Sequence, residues 1–263
     1  MKKFKSIIAV FLSMIIVGSL ATSLVASANT YDHRFLNAPM EAQKTDYYCG
    51  VCAFQSFLAV ENRDHPYILP SDVRGYKSQA DVVNIIQQYG KYTVPTNGIG
   101  WFIGSQHDRP DYRTFNPLCR TLRWMIDISY NWMHYGQYTN TGVYNERVLR
   151  THITQTIDNG HCVLVNGDTK YYDWNRGIWV RKDYCVYSKQ NCNDNSRMPY
   201  PDTTGHWVII DGYASHGYVL RVRDSGAGSA YTTGFPASSY YVKLHDLKTF
   251  IDGSHGIIYC DNK

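Results

Sequence analysis

Two separated stretches of this chain hold residues that could do covalent chemistry together. The first is Gln43-Lys44-Thr45-Asp46-Tyr47-Tyr48-Cys49-Gly50-Val51-Cys52-Ala53-Phe54-Gln55-Ser56-Phe57-Leu58. It opens with polar, turn-like residues. From Gly50 on, Val51, Phe54, Phe57 and Leu58 recur at the spacing of one helix face. Cys49 therefore stands where a loop becomes a helix, and the unpaired N–H groups and positive dipole end found there favour a thiolate. Gln43, six residues earlier, can aim its amide N–H at whatever Cys49 attacks. A thiol nucleophile with an amide donor beside it is half of an acyl-transfer site. The other half is a base, which for a thiol is ordinarily a histidine held by a carboxylate or amide.

The second stretch, Gly205-His206-Trp207-Val208-Ile209-Ile210-Asp211-Gly212-Tyr213, supplies that base. His206 opens a strongly apolar strand directly after a loop. Most of the other histidines stand in polar or loop contexts, such as His65 beside Pro66 and His107 beside Asp108. Two aspartates are near enough in sequence to orient the ring. Strand side chains alternate, so His206, Val208 and Ile210 share a face and Asp211 points to the other. Asp224 closes the following strand, after Leu220-Arg221-Val222-Arg223, and a hairpin of that length returns it beside His206.

The elements that must position these groups divide into two halves. Asn29 to Gln43 reads as an extended lead-in. Helices are expected from about Gly50 to Asn62, from a Ser78/Asp81 capping box through Val82, Val83, Ile85 and Ile86 to Gly90, from Asn116-Pro117 through Leu118, Leu122, Met125, Ile126 and Met133, and over Val148 to Ile157. Pro95 to Arg113 reads as a long loop. After Gly160 strands dominate: His161–Val165, a mixed strand from Ile178 to Tyr187, Trp207–Ile210, Tyr218–Val222, Tyr240–Leu244 and Gly256–Tyr259, with a short helix over Leu244–Ile251 and an Asn-, Pro- and Asp-rich insertion over Lys189–Thr204. Helices first and a mostly antiparallel sheet second make an α+β chain.

The first residues read as an export signal: basic Lys2, Lys3 and Lys5, an apolar run from Ile7 to Leu20, and the small-residue site Ala26-Ser27-Ala28. A mature chain starting at Asn29 is expected, with secretion and no lasting membrane association. The formal charge of +4 falls to about +1 without those lysines, so nothing points to nucleic acid. Seven cysteines in an exported chain permit disulfides and leave one thiol over. Cys185 and Cys192 could close a small loop.

The Gln43-x5-Cys49-Gly50 element, the Gly205–Tyr213 stretch and Asp224 resemble papain-fold cysteine peptidases, and among them the bacterial group of double-glycine leader peptidases, family thirty-nine. Ile157-Asp158-Asn159-Gly160-His161-Cys162-Val163-Leu164-Val165 is similar to the helix-to-strand entry of that family. The likeness runs from Gln43 to Cys260. It implies a papain-like domain over 43–263, after a signal peptide over 1–28 and a lead-in over 29–42. It also implies a peptide or protein substrate and no metal or organic cofactor. By the same resemblance Cys49 attacks, His206 exchanges the proton, Asp224 orients His206, and Gln43 with the Cys49 N–H holds the oxyanion. Family members often carry Pro after the aspartate, where this chain has Ser225, and the insertion carrying Cys185 and Cys192 is long. A stand-alone secreted hydrolase is the resulting expectation, with leader processing not implied.

Three other readings use the same residues. Cys49-Gly50-Val51-Cys52 has the spacing of a thiol–disulfide oxidoreductase site, although no strand precedes it and no βαβ pattern surrounds it. A single CxxC without a second pair is a poor zinc site. Transglutaminase, amidase or cell-wall peptide hydrolase chemistry would use Cys, His and Asp in the same order. A non-catalytic binding protein on the same fold is the remaining alternative.

Overall fold

The computed structural model describes residues 32–45, 48–91, 117–126, 128, 130–134, 142–226, 237–251 and 256–260. The signal-like segment, Asn116, the expected loop over Pro95–Arg113 and the mature start at Asn29 lie outside them. No described helix is long and apolar enough to cross a membrane.

Strand β1 (Arg34–Phe35) leads into helix α1 (Cys49–Asp64), then α2 (Gln79–Gly90), α3 (Pro117–Met125), β2 (Tyr130–His134) and α4 (Gly142–Asp158). The second half runs β3 (Val163–Gly167), β4 (Lys170–Asp173), β5 (Ile178–Arg181), β6 (Val186–Tyr187), β7 (Arg197–Met198), β8 (His206–Ala214), β9 (Val219–Asp224), β10 (Ser238–Lys243), α5 (Leu244–Phe250) and β11 (Gly256–Cys260). The sheet order is β2-β11-β3-β8-β9-β10-β6-β7, every pairing antiparallel. The α+β arrangement expected from the sequence is thus the one the chain adopts.

Two expectations are corrected. Met133 does not continue α3: the helix stops at Met125 and Met133 lies in β2, paired with Ile257 of β11. An apolar residue at helical spacing serves a strand here, a period ambiguity that short segments do not resolve. The mixed strand over Ile178–Tyr187 is two strands in two sheets. Ile178–Arg181 pairs with Lys170–Asp173 as a separate ribbon, while Val186–Tyr187 joins the main sheet beside β10 and β7.

Helix α1 is the hub. The sequence suggests one apolar face, but the helix is buried nearly all round from Cys49 to Glu61, with only Ala59 partly open. Its Phe54 and Phe57 rings stack at 6.0 Å, and Phe57 meets Tyr130 edge-on at 5.5 Å. A helix apolar or small on every side belongs inside a domain. α2 starts with the expected box, in which Ser78 Oγ accepts from Asp81 N and the Asp81 carboxylate accepts from Ser78 N.

The lead-in is built into the fold. β8 pairs with β3 over His206–Ile210, and beyond that β1 takes over the same strand, with Arg34 opposite Tyr213 and Phe35 opposite Gly212. A Cβ on Gly212 would stand 2.7 Å from the Arg34 carbonyl oxygen, so only glycine admits the lead-in here. Asp211 is the bulged residue between Ile210 and Gly212. Its fully buried carboxylate accepts from Ala38 N at 2.8 Å, from Arg221 at 2.7 and 2.9 Å, and from Arg223 at 2.9 Å. Removing one member of such a cluster leaves buried charge uncompensated, at a cost of about 3–5 kcal/mol. Asp211→Ala should lower the unfolding free energy by roughly 3 kcal/mol, read as a lower urea midpoint with an unchanged slope.

Candidate active site

Three elements supply the three reactive groups. Cys49 is the first residue of α1, and Tyr48 at the N-cap offers no side-chain bond to the helix end. Among the described residues no side-chain cap from Tyr48 occupies the first N–H groups of the helix. His206 is the first residue of β8, held there by the β-branched and aromatic run behind it and by its register opposite Gly167. Asp224 is the last residue of β9, brought back by the β8–β9 hairpin as expected.

His206 Nε2 lies 2.8 Å from Asp224 Oδ1. That contact leaves Nδ1 as the ring nitrogen available to a thiol, and Cys49 is near enough to favour the protonated ring. The Cys49 Sγ also lies 4.0 Å from the Gly205 carbonyl oxygen. Cys49, His206 and Asp224 thus stand together, the ring bonded to the carboxylate and the thiol beside the Gly205–His206 segment. Asp211, set aside on alternation grounds, is absent from it and serves the lead-in.

Burial and charge compete at both ends of the His206–Asp224 pair. Burial disfavours an imidazolium, but the Asp224 carboxylate and the contact with Cys49 outweigh it and push the His206 pKa above its ordinary value. Burial likewise disfavours the Asp224 carboxylate, yet His206, the Tyr200 hydroxyl and the Gly226 N–H hold its pKa below the usual range. Tyr200 and Tyr240 hydroxyls donate to Asp224 Oδ2 at 2.7 and 3.0 Å, and Gly226 N–H donates to Oδ1 at 2.9 Å. Sequence reasoning missed these three groups. The tyrosines stand among many others along the chain, and nothing in spacing singles them out.

Gln43 reaches the site through Ser225. The Gln43 N–H donates to the Ser225 carbonyl at 3.2 Å, and the Ser225 hydroxyl donates to Gln43 Oε1 at 3.0 Å. With Oε1 engaged, the amide NH2 is the donor end left for a ligand. Gln79 braces the same segment: its Nε2–H donates to Ala42 O at 2.9 Å and its Oε1 accepts from Lys44 N at 3.0 Å. Ser225 stands at the position where the resembled family often has proline, and its hydroxyl has a positioning task that proline could not perform. Cys52, three residues into α1, is fully buried and not bridged to Cys49. Burial first, and the neighbouring Cys49 second, push its thiol pKa far up. Cys185 and Cys192 meet as free thiols in a small cluster with Tyr187, separate from the main core.

No family model matches this chain, and no curated protein matches it. Among solved structures it is similar to xylellain, a cysteine protease from Xylella fastidiosa, at 11% identity and a TM-score of 0.39, over 88% of this chain and 87% of that one. A likeness this distant carries no argument, and the chemistry of the site rests on the residues of this chain.

Because folding raises the proton affinity of His206, the pair stabilises the fold most below the ordinary imidazole pKa of about 6.5 and loses that contribution as pH rises through the higher folded value. Asp224 contributes above the ordinary carboxylate range and loses its share only as pH falls through its lowered value. An NMR titration should show the His206 ring still protonated at neutral pH. In Asp224→Asn its midpoint should fall by at least about one unit.

Proposed function

We propose that this chain is a secreted papain-like cysteine peptidase, akin to the double-glycine leader peptidase-like group, which hydrolyses peptide bonds through Cys49, His206, Asp224 and Gln43. The observation that carries the reading is the buried His206–Asp224 pair with the Cys49 thiol at the start of α1 beside the head of the same strand.

In this reading the thiol proton resides on His206, and the Cys49 sulfur adds to the substrate carbonyl. The carbonyl oxygen takes the negative charge between the Gln43 amide and the Cys49 N–H. His206 then gives its proton to the departing amine, and the C–N bond breaks to leave a thioester. Water, deprotonated by His206, attacks that thioester and returns the thiol and a carboxylic acid. Asp224 holds the ring in orientation and compensates the imidazolium.

Transglutamination is the second reading, because it shares every step up to the thioester and differs only in replacing water with an amine. The redox reading draws less support, since Cys52 is a deeply buried thiol packed in α1 and the sheet around it is antiparallel.

Cysteine alkylation followed by mass spectrometry tests the mechanism without a substrate. Cys49 should label fast near neutral pH in the wild type and slowly in His206→Ala. Labelling of Cys49 only after reduction, together with Cys52, would sink the peptidase mechanism and favour the redox one. On a peptide library, Cys49→Ala should abolish cleavage and Asp224→Asn should lower kcat by roughly 1,000-fold or more. Ser225→Ala, which frees Gln43, should cost about tenfold in kcat/KM. Product mixtures containing added amine in place of water would assign the transferase instead.

A further inference from the structure

The far end of α1 carries a second cluster, which the chemistry above does not use. Glu61 and His65 are four residues apart, so they share a helix face. His161 precedes β3, and Tyr130 opens β2. The Glu61 carboxylate is fully buried, and both of its oxygens lie close to His161 Nδ1, at 2.9 and 3.1 Å. The His65 ring leans on the His161 ring, centroids 4.7 Å apart, and its Nε2 is shielded from solvent with no hydrogen-bond partner among the described residues. Tyr130 is also fully buried and stands edge-on to His161 at 6.0 Å. Its hydroxyl makes no hydrogen bond to a described residue. Two buried polar atoms thus stand without a partner among the described residues, which ordinarily destabilises a fold.

One donor atom from each of Glu61, His65 and His161 lies within 4.8 Å of the other two. Gly160 makes the approach of His65 feasible: a Cβ there would stand 2.6 Å from His65 Nε2, and the residue has a φ of +90°. We propose that Glu61, His65 and His161 form a binding site for a zinc-class divalent cation. Two imidazoles and one carboxylate suit a borderline cation such as Zn²⁺, whereas Ca²⁺ and Mg²⁺ take oxygen shells. Bond lengths of about 2.0–2.1 Å place tetrahedral ligand atoms roughly 3.4 Å apart. Glu61 and His161 stand slightly inside that spacing, at 2.9 and 3.1 Å, and would part by a few tenths of an ångström. A ring movement of roughly 1 Å by His65, whose Nε2 has no bond to give up, closes the rest. Binding at His161 Nδ1 replaces its contact with Glu61 and calls for the Nε2–H tautomer of that ring, so that two neutral imidazoles and one carboxylate face the ion.

Its role follows from its place. Twelve residues of helix at about 1.5 Å each set the cluster roughly 18 Å from Cys49. The ion would therefore cross-link the helix that carries the nucleophile to the segment that leads into β3. It would act on stability and leave the chemistry at Cys49 untouched.

The test uses Cys49→Ala protein, so that a metal held by the catalytic thiol is not counted. After chelation, titration with Zn²⁺ alone should give one tight equivalent and raise Tm. Co²⁺ should give the visible absorption of a tetrahedral site. In Cys49→Ala/His65→Phe, where a ring of similar size keeps the packing, affinity should drop about 100-fold or more and the Tm rise should vanish. Circular dichroism checks that this variant is folded, and His65→Ala serves as the second variant. Absence of stoichiometric binding in Cys49→Ala, or equal binding with and without His65, would overturn the proposal.

Discussion

Asp224 has no solvent to share its charge with, and much of the domain is arranged around that fact. An ionised carboxylate in a protein interior persists only when paired and hydrogen-bonded. This one is met by His206 from β8, Tyr240 from β10, Tyr200 from the insertion before β8, and the Gly226 N–H just past its own strand. Satisfying it demands the β8–β9 hairpin in its observed register, β10 on the far side of β9, and the insertion folded over the end of the sheet. The same contacts hold the His206 ring toward Cys49. Stability of the sheet end and geometry of the site are consequently one problem with one solution.

The neighbouring aspartate on the same hairpin shows the complementary use of buried charge. Asp211 sits at a bulge, where the chain bends and the carboxylate turns away from His206. It gathers Arg221, Arg223 and the lead-in at Ala38. The lead-in then runs on to Gln43, whose placement depends on Ser225, the residue after Asp224. The two aspartates thus anchor the two ends of one path: Asp211 docks the start of the lead-in, and Asp224 stands beside its functional end. Helix α1 continues from this path with Cys49 at one tip and the Glu61–His161 pair at the other.

Legibility of the site varies with how local its physics is. Cys49 at a helix start, His206 at the head of an apolar strand and Asp224 at the end of the next strand all follow from patterns spanning a few residues, and the hairpin joining the last two is a short-range inference. The separation of Ile178–Arg181 from Val186–Tyr187 is not legible, because either segment satisfies the strand pattern and only pairing partners decide the sheet. Met133 is misread for a similar reason: an apolar residue at helical spacing beyond Met125 fits a continuing helix until β11 claims it as a strand residue. Tyr200 and Tyr240 cannot be picked from the 23 tyrosines, since nothing marks the two that face Asp224.

The amino-acid sequence by itself determined the α+β class, the main helices and strands, and the placing of Cys49, His206 and Asp224 at the ends of their elements. These rest on hydrophobic period, capping and strand alternation, which act over one or two turns of chain. Only the tertiary structure decided which partners each buried polar group found: Ser225 for Gln43, two tyrosines for Asp224, two arginines for Asp211, and His161 for Glu61. Those choices are made by desolvation, which requires a partner for every buried polar atom but is indifferent to how far along the chain that partner lies.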